Sequence, residues 1–453
     1  MTRHVPALVV GGGISGLVCA YALRKAGIDA QLVEASPRPG GVIHSVTRDG
    51  FLLELGPQSF SGTPALRELC AELGISNELL HAPPRAPRYV LIDGLLRPVP
   101  LSPPAFFMSS LINGSTKWAF VRDILGKSIP PDGDESVADF VRRKFSAQLL
   151  DRLVGPFVSG IYAGDPEHLS IRSAFPQLYE AELAAGSVVR GILRCAKSTK
   201  GPRERPTLLA FRHGNETLVR VLANKLGPAL FTEATATEIS CPKEAEFAIR
   251  LQSHGREEPV TAESVILATP TDVAGRLLSQ LDSSLEPLLG TVEYASVAVV
   301  SLGYHQKDVG NSLDGFGFLV PRSAGLRVLG TIWNSSLFSG RAPDEQALLT
   351  SFVGGTTDPA APKLKPEELV SLVHGEISSV LSIQSAPVFS NVTIWPSALP
   401  QYNLGHADRL AAVAKGCLRF PGLWLIGNYL QGPAIGSCVD QALAVAEAIR
   451  KRP

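Results

Sequence analysis

An α/β fold is predicted for this chain by three observations near its N-terminus. Val5 to Val10 is a short apolar run rich in valine, the pattern of a fully buried strand. Gly11, Gly13 and Gly16 follow at once in G-x-G-x-x-G spacing, and Leu17 to Ala26 has the composition and periodicity of a helix ended by Gly27. Ala30 to Val33 is a second short apolar run, closed by Glu34. Strand, glycine turn, helix, strand and acid in this register make a Rossmann-like dinucleotide-binding unit. Gly11 permits the tight turn, Gly13 lets backbone N–H groups approach a pyrophosphate, and Gly16 allows the helix to pack closely on the strand. The helix N-terminus offers partial positive charge to the phosphates. Glu34 can accept from a ribose 2′-hydroxyl and would repel a 2′-phosphate, so the ligand is FAD or NAD rather than NADP.

The residues after Glu34 decide between the two. "ASPRPGGVIHS" brings Arg38 and a second glycine pair, Gly40 and Gly41, and "FLLELGPQSF" brings Gly56. Glu34, Arg38, Gly40 and Gly41 resemble the extended fingerprint of the flavoprotein superfamily of amine oxidases, phytoene desaturases and protoporphyrinogen oxidases, in which FAD lies along this unit. "LWLIGNYLQGPAIGSCVDQALAVAEAI" resembles the closing motif of the same superfamily: a strand ending at Gly427, a loop, and a helix whose N-terminus faces the flavin. The resemblance implies a Rossmann-like FAD-binding domain of the amine oxidase type. It implies cofactor contacts from Gly11, Gly12, Gly13, Ile14, Ser15, Gly16, Glu34, Ala35, Arg38, Gly40, Gly41 and Val42. Further contacts are implied from Gly56, Pro57, Gln58, Ser59, Ala236, Trp395, Gly427, Pro433, Ala434 and Ile435. Cys438 falls past the flavin loop and no covalent anchor is evident, so the FAD is expected to be non-covalent.

Composition bounds the rest. At 453 residues and 45% hydrophobic, the chain can bury large cores in two or more domains. Lysine plus arginine equals aspartate plus glutamate at 42 each, which leaves no global field to recruit nucleic acid. Cys19, Cys70, Cys195, Cys241, Cys417 and Cys438 are scattered without C-x-x-C or histidine pairing, against zinc or a disulfide framework, and no metal site is expected. A reducing cytoplasm fits, the first strand starts without a signal peptide, and no run of about 18 apolar residues spans a bilayer.

The expected organisation is discontinuous. Residues 1–83, 205–289 and 401–453 are assigned to FAD binding, with "FRHGNETLVRVLANKLG" and "ESVILATPTDVAGRLL" returning to the first sheet. Residues 84–100 and 290–400 are assigned to substrate binding, the latter as an antiparallel sheet containing "VAVVSLGY", "GFGFLVP" and "LRVLGTIW". Residues 101–204 read as a helical insertion, with Asp134 and Ser136 as helix caps.

Within these insertions the resemblance narrows. "GPFVSGIYAGDPEHLSIRSAFPQLYEAE", residues 155–182, is similar to a segment shared by protoporphyrinogen oxidases, including Gly160 and Gly164. That family implies Arg88 as the partner of a substrate propionate. Leu319, Ile332 and Phe352 are implied as the apolar walls around the macrocycle, and Trp395 as a neighbour of the flavin. A porphyrinogen is a large, mostly apolar ring with carboxylates on its rim, so such a pocket is chemically coherent, and a planar guanidinium suits a carboxylate. Without the family, the three apolar residues read as core and Arg88 as a solvated arginine. Gly160, lacking a side chain, allows close approach.

His44, His213 and His406 sit in no triad or metal spacing, and no general base is assigned; the flavin carries the difficult step. The implied activity is FAD-dependent, oxygen-linked oxidation of protoporphyrinogen IX to protoporphyrin IX in heme biosynthesis. Coproporphyrinogen III oxidation to coproporphyrin III is the alternative, and a flavin amine oxidase, which would not need Arg88, is the more distant one. A pyridine-nucleotide reductase would need a second dinucleotide site, and "FVGGTTD" has only the pair Gly354 and Gly355. Residues 100–127 mix Phe106, Phe107, Leu111, Trp118, Phe120 and Leu125 with Lys117, Arg122 and Lys127. They read either as an interfacial helix on the inner face of the cell membrane or as a helix packed on its own domain.

Overall fold

Gly13 sets the geometry of the first turn: with φ −67° and ψ 176° it is the extended N-cap of the helix Ile14–Lys25. That helix therefore begins three residues before the expected Leu17, because the glycine turn itself supplies the first helical hydrogen bond, from Leu17 N–H to the Gly13 carbonyl at 2.9 Å. The computed structural model describes residues 3–198, 208–243 and 246–452. Among these, two seven-stranded sheets organise the chain.

The first sheet runs Leu230–Phe231, Ala30–Val33, Arg3–Val10, Arg256–Leu267, Glu246–Ser253 and Ala234–Lys243, with Leu423–Leu425 also pairing with Arg256–Leu267. Its centre is parallel: Val9 lies opposite Leu32 on one side and Ile266 on the other. Such a strand, buried on both faces, needs an apolar residue at nearly every position, which is why the run of valines signals it. Leu17, Val18 and Leu23 of the first helix pack in one core with Val439, Ala442 and Ala446 of the helix Ile435–Arg450. The two ends of the chain thus complete a single layer.

The second sheet runs Phe389–Pro400, Tyr294–His305, Gln346–Gly354, Val328–Trp333, Gly317–Leu319, Arg88–Ile92 and Leu95–Pro98. It is antiparallel except where Gly317–Leu319 lies parallel to Arg88–Ile92. Period-2 alternation divides its residues. Ala298, Val300, Leu302 and Tyr304 point to one face, where Leu369, Val373, Ile377 and Leu381 of the helix Pro366–Leu381 cover them. On the opposite face Leu348 packs against Phe51 and Leu53 of the strand Phe51–Glu54.

Helices between Pro103 and Ser198 form a third layer, in which the buried Lys144 ammonium meets Asp123 at 2.6 Å and Glu182 at 3.1 Å. Ser136 caps the helix Val137–Lys144 as expected, its hydroxyl accepting from Asp139 N–H at 3.0 Å. Asp134 does not cap a helix. It accepts from the Ser170 hydroxyl at 2.7 Å and from Gly405 N–H at 2.8 Å, tying this layer to the C-terminal segment. The layer ends with the helix Val188–Ser198, and residues 199–207 lie outside the described residues.

Candidate active site

The glycines of the first turn divide by what surrounds them. A Cβ on Gly16 would stand 1.9 Å from the Gly11 carbonyl oxygen, and one on Gly11, whose φ is +107°, 2.5 Å from that of Ala268. Both positions bring backbone against backbone. A Cβ on Gly13 would meet nothing within 4 Å. The Gly13 cap therefore opens onto space, and the helix behind it has no side-chain cap and no acidic residue in its first turn. Uncapped N–H groups beside an open cradle suit a phosphate. Ile14 and Ser15 are buried in the helix's first turn.

Glu34 is held at the end of its strand. Its Oε2 accepts from Gly12 N–H at 2.6 Å, and its Oε1 accepts from the N–H and hydroxyl of Ser36 at 2.7 and 2.5 Å. Ala35 continues this turn, and the Glu34 carbonyl receives the Ala234 N–H at 2.9 Å, which places the strand containing Ala236 alongside. Gly40 N–H donates to the Gly12 carbonyl at 2.7 Å, and a Cβ on Gly41 would be 3.6 Å from the Gly13 Cα. The second glycine pair thus closes over the first. Arg38 braces this loop: its guanidinium donates to the carbonyls of Pro39, Gly41 and Ile43 at 2.6–2.9 Å and lies 3.4 Å from Glu216.

Gly56 packs on the same loop, since a Cβ there would be 2.0 Å from the Val42 carbonyl oxygen. Pro57 accepts from Asn215 Nδ2 at 2.8 Å, Gln58 is buried and Ser59 half-buried. Trp395 sends its indole N–H to the Leu55 carbonyl at 2.6 Å. At the other end of the chain, Gly427 has φ +154° after the strand Leu423–Leu425. Pro433 and Ala434 lead into the helix Ile435–Arg450, again without a side-chain cap or an acidic first turn. This is a second helix N-terminus without a side-chain cap among the described residues. The Cys438 thiol is buried and its pKa is raised by that burial.

Ladder pairing settles where the four predicted substrate residues lie. Gly330 is opposite Leu319 on one side and Phe352 on the other, while Ile332 is opposite Gly317, which in turn is opposite Arg88. Paired and alternate residues share a face. Arg88, Leu319, Ile332 and Phe352 are accordingly on one face, with Trp395 farther along it through Val297 and Val299. Leu319 Cδ2 lies over Gly330, 3.0 Å from where a Cβ on that glycine would stand. The helix Gly155–Tyr162 crosses this region, and a Cβ on Gly160 would be 2.6 Å from Leu319 Cδ2. In this structure Gly160 thus makes room for Leu319. The Arg88 side chain is exposed at the sheet's end, its guanidinium 5.4 Å from the centre of the Phe316 ring, with no carboxylate partner among the described residues.

Several supporting residues carried no sequence signal. Tyr402 accepts Gly432 N–H at 2.7 Å and donates to the Asn428 carbonyl, spanning the closing loop. His406 stacks on Tyr402 at 4.6 Å and bonds the Tyr429 carbonyl through Nε2 at 2.8 Å. Burial lowers the pKa of His406. Glu54 and Arg341 form a wholly buried ion pair at 3.1 Å, joining the strand Phe51–Glu54 to the chain leading into Gln346–Gly354. Burial pushes the Glu54 carboxyl up to about 7 against the opposing pull of Arg341 and the Ser45 hydroxyl. Only spatial proximity reveals these pairs.

Known proteins similar to this chain are flavoenzymes by name or family. The protoporphyrinogen oxidase of Oryza sativa subsp. japonica chloroplasts is 36% identical over 468 residues, covering 98% of this chain and 87% of that protein. The coproporphyrinogen III oxidase of Bacillus subtilis is 28% identical, covering 99% and 98%. A crystal structure from Exiguobacterium sp. 255-15, provisionally named a protoporphyrinogen oxidase, superposes with a TM-score of 0.81 at 26% identity over 99% of each chain. Cyclohexylamine oxidase from Brevibacterium oxydans shares the fold, with a TM-score of 0.72 at 18% identity over 99% of each chain. The family model for flavin containing amine oxidoreductases matches residues 14–450. With nearly the whole chain inside that match and both uncapped helix ends present, the chain belongs to the flavin containing amine oxidoreductase family and is an FAD-dependent oxidoreductase.

Proposed function

We propose that the chain oxidises protoporphyrinogen IX to protoporphyrin IX with oxygen as the final acceptor, coproporphyrinogen III being the second candidate for the same site. The observation that carries this is the single sheet face holding Leu319, Ile332 and Phe352 around Gly330, with Arg88 at its end. An apolar ring with rim carboxylates fits apolar walls plus an available guanidinium; a small amine does not require that guanidinium. The names of the rice and B. subtilis relatives support both porphyrinogens.

FAD, when bound, supplies the two-electron acceptor for each cycle. Gly11 to Gly16, Gly40 and Gly41 would hold its pyrophosphate, and Glu34 its ribose. Gly56 to Ser59, Trp395 and the Gly427–Ile435 loop would surround its ring. Leu319, Ile332 and Phe352 bind and orient the macrocycle and exclude water, and Arg88 anchors one carboxylate at the rim. No side chain is assigned as general base.

Aromatising a porphyrinogen removes six hydrogens, so three flavin cycles serve each product molecule. Simultaneous porphyrin fluorescence, oxygen uptake and peroxide detection should give three O₂ consumed and three H₂O₂ formed per porphyrin without added nicotinamide. A ratio near one, or a strict need for a quinone, refutes the oxygen-linked reading. Parallel steady-state assays on the two porphyrinogens choose between them, and turnover of amines instead of either would transfer the chain to the amine oxidases.

Contact with the inner face of the cell membrane is proposed in a narrower form than the whole 100–127 stretch. Phe107, Met108, Trp118 and Leu125 are exposed, whereas Leu111 is buried and Phe106 and Phe120 pack at 4.5 Å, with Phe120 stacked on Phe145 at 4.3 Å. Among the described residues, no helix is long and apolar enough to cross a membrane. A surface of this kind suits insertion at the interface. Replacing Trp118 and Leu125 by serine should reduce flotation with liposomes; absence of the unmodified protein from the floated fraction overturns the contact.

A further inference from the structure

The face derived above offers apolar surface and one cation, but a porphyrinogen and a flavin both also carry ring N–H groups that need an acceptor once water is excluded. Asn334 lies where one is needed. It opens the short helix Asn334–Leu337, directly after the strand Val328–Trp333 that bears Gly330 and Ile332. Its side chain is 4% exposed.

The orientation of its amide follows from its neighbour. Gln58 Nε2 donates to the carbonyls of Glu54 and Gly56 at 2.7 and 2.9 Å, which uses both of its protons. Gln58 Oε1 is therefore an acceptor, and the Asn334 atom 2.8 Å from it is Nδ2. Asn334 Oδ1 is left buried and, among the described residues, without a hydrogen-bond partner. Buried amide oxygens are nearly always paired, so an orphan of this kind asks for a donor from outside the chain. Its position narrows the donor. Gln58 belongs to the Gly56–Ser59 loop assigned to the flavin, and Ile332, two residues before Asn334, is on the proposed substrate face among Phe316, Phe338 and Ala86.

We propose that Asn334 Oδ1 accepts a hydrogen bond from a ring N–H of a heterocycle bound between the two sheets, and so fixes that ring's orientation. The shared chemistry is an aromatic N–H donor, carried by the flavin or by the porphyrinogen; only the second source rests on the function proposed above.

Asn334→Leu, purified with FAD, distinguishes them. If the porphyrinogen is the donor, KM rises about tenfold, the scale of one lost hydrogen bond, while the flavin spectrum is unchanged. If the flavin is the donor, its absorption bands and midpoint potential shift and FAD is held about tenfold more weakly before any substrate is added. The companion variant Gln58→Met removes the bond to Nδ2 and leaves Oδ1 in place. If it reproduces the whole effect of Asn334→Leu, Asn334 acts only through Gln58 and the proposal fails. Wild-type KM and wild-type flavin properties together in Asn334→Leu also overturn it. Asn334→Ser, too short to reach a ring, serves in place of leucine if that variant does not fold. Should the unmodified enzyme turn over neither porphyrinogen, the functional reading fails by itself, and the flavin spectrum and affinity alone decide the role of Asn334.

Discussion

Gly13 and Gly16 stand three residues apart and should respond to the same substitution in opposite ways. A side chain at Gly13 meets no protein atom within 4 Å, so Gly13→Val should fold with the melting temperature of the FAD-free wild type and lose its FAD, because the side chain occupies the space of the pyrophosphate. At Gly16 a Cβ would lie 1.9 Å from the Gly11 carbonyl oxygen, so Gly16→Val should lower the melting temperature whether or not FAD is present. Flavin absorbance per chain and thermal unfolding separate the two; undiminished flavin in Gly13→Val means the turn does not hold the cofactor. Arg88 is the other residue whose surroundings define a test. It has no carboxylate partner among the described residues, so Arg88→Ala should leave folding and FAD content unchanged. Loss of a charged hydrogen bond worth about 1.5–3 kcal/mol should reduce kcat/KM by roughly ten- to a hundredfold. Unaltered kinetics on either porphyrinogen would return Arg88 to the role of a solvated side chain.

At the scale of elements, the helix Gly155–Tyr162 and the strand Gly317–Leu319 meet through Gly160 and Leu319. A methyl group on Gly160 would press on Leu319 Cδ2 at 2.6 Å, and that atom is the free end of a flexible side chain. Gly160→Ala should therefore fold, displace Leu319 from its place over Gly330, and raise KM several-fold with little change in flavin content. A paired variant, Gly160→Ala with Leu319→Ala, restores the space and should recover much of the loss; failure to recover would place the cause elsewhere than this contact. The elements themselves were readable from the chain to different degrees. The βαβ unit was legible because its glycines, apolar runs and acid are local. The antiparallel sheet was legible as strands. Its order was not, since the parallel pairing of Arg88–Ile92 with Gly317–Leu319 joins distant segments and follows from no local pattern. Asp134 shows the same limit: an aspartate before a helix has the composition of a cap, yet its partners are Ser170 and Gly405.

Across the whole molecule, the flavin-binding layer and the second sheet are joined by the buried pair Glu54 and Arg341, with Asn215 N–H donating to Glu54 at 2.9 Å and Arg341 donating to the Phe211 carbonyl at 3.1 Å. Burial raises the Glu54 carboxyl from its ordinary 4.5 to about 7. The folded protein then holds this proton more tightly than the unfolded chain, so its stabilising contribution is complete below pH 4.5 and is lost as pH rises towards 7. Across that window the contribution is on the order of 3 kcal/mol. Denaturant unfolding of the wild type between pH 4.5 and 7.5 should show this decline as a component absent from Glu54→Gln, which has no proton to lose there. An identical pH slope in the two proteins would show that Glu54 does not titrate in this range.

By itself the sequence determined the class of cofactor, because a glycine turn, a helix N-terminus and a terminal acid within some thirty residues have only one arrangement that satisfies their backbone geometry. It also marked the closing helix at the far end and the residue types of an apolar pocket with a cation. The tertiary structure alone decided which of those residues share a face, that Arg38 braces its own loop, that Gly160 accommodates Leu319, and that Glu54 meets Arg341. Local hydrogen bonding and side-chain periodicity act over a few residues and are written in order along the chain. The pairing of remote strands and the burial of opposite charges depend on which surfaces exclude water together, and that is settled only when the layers pack.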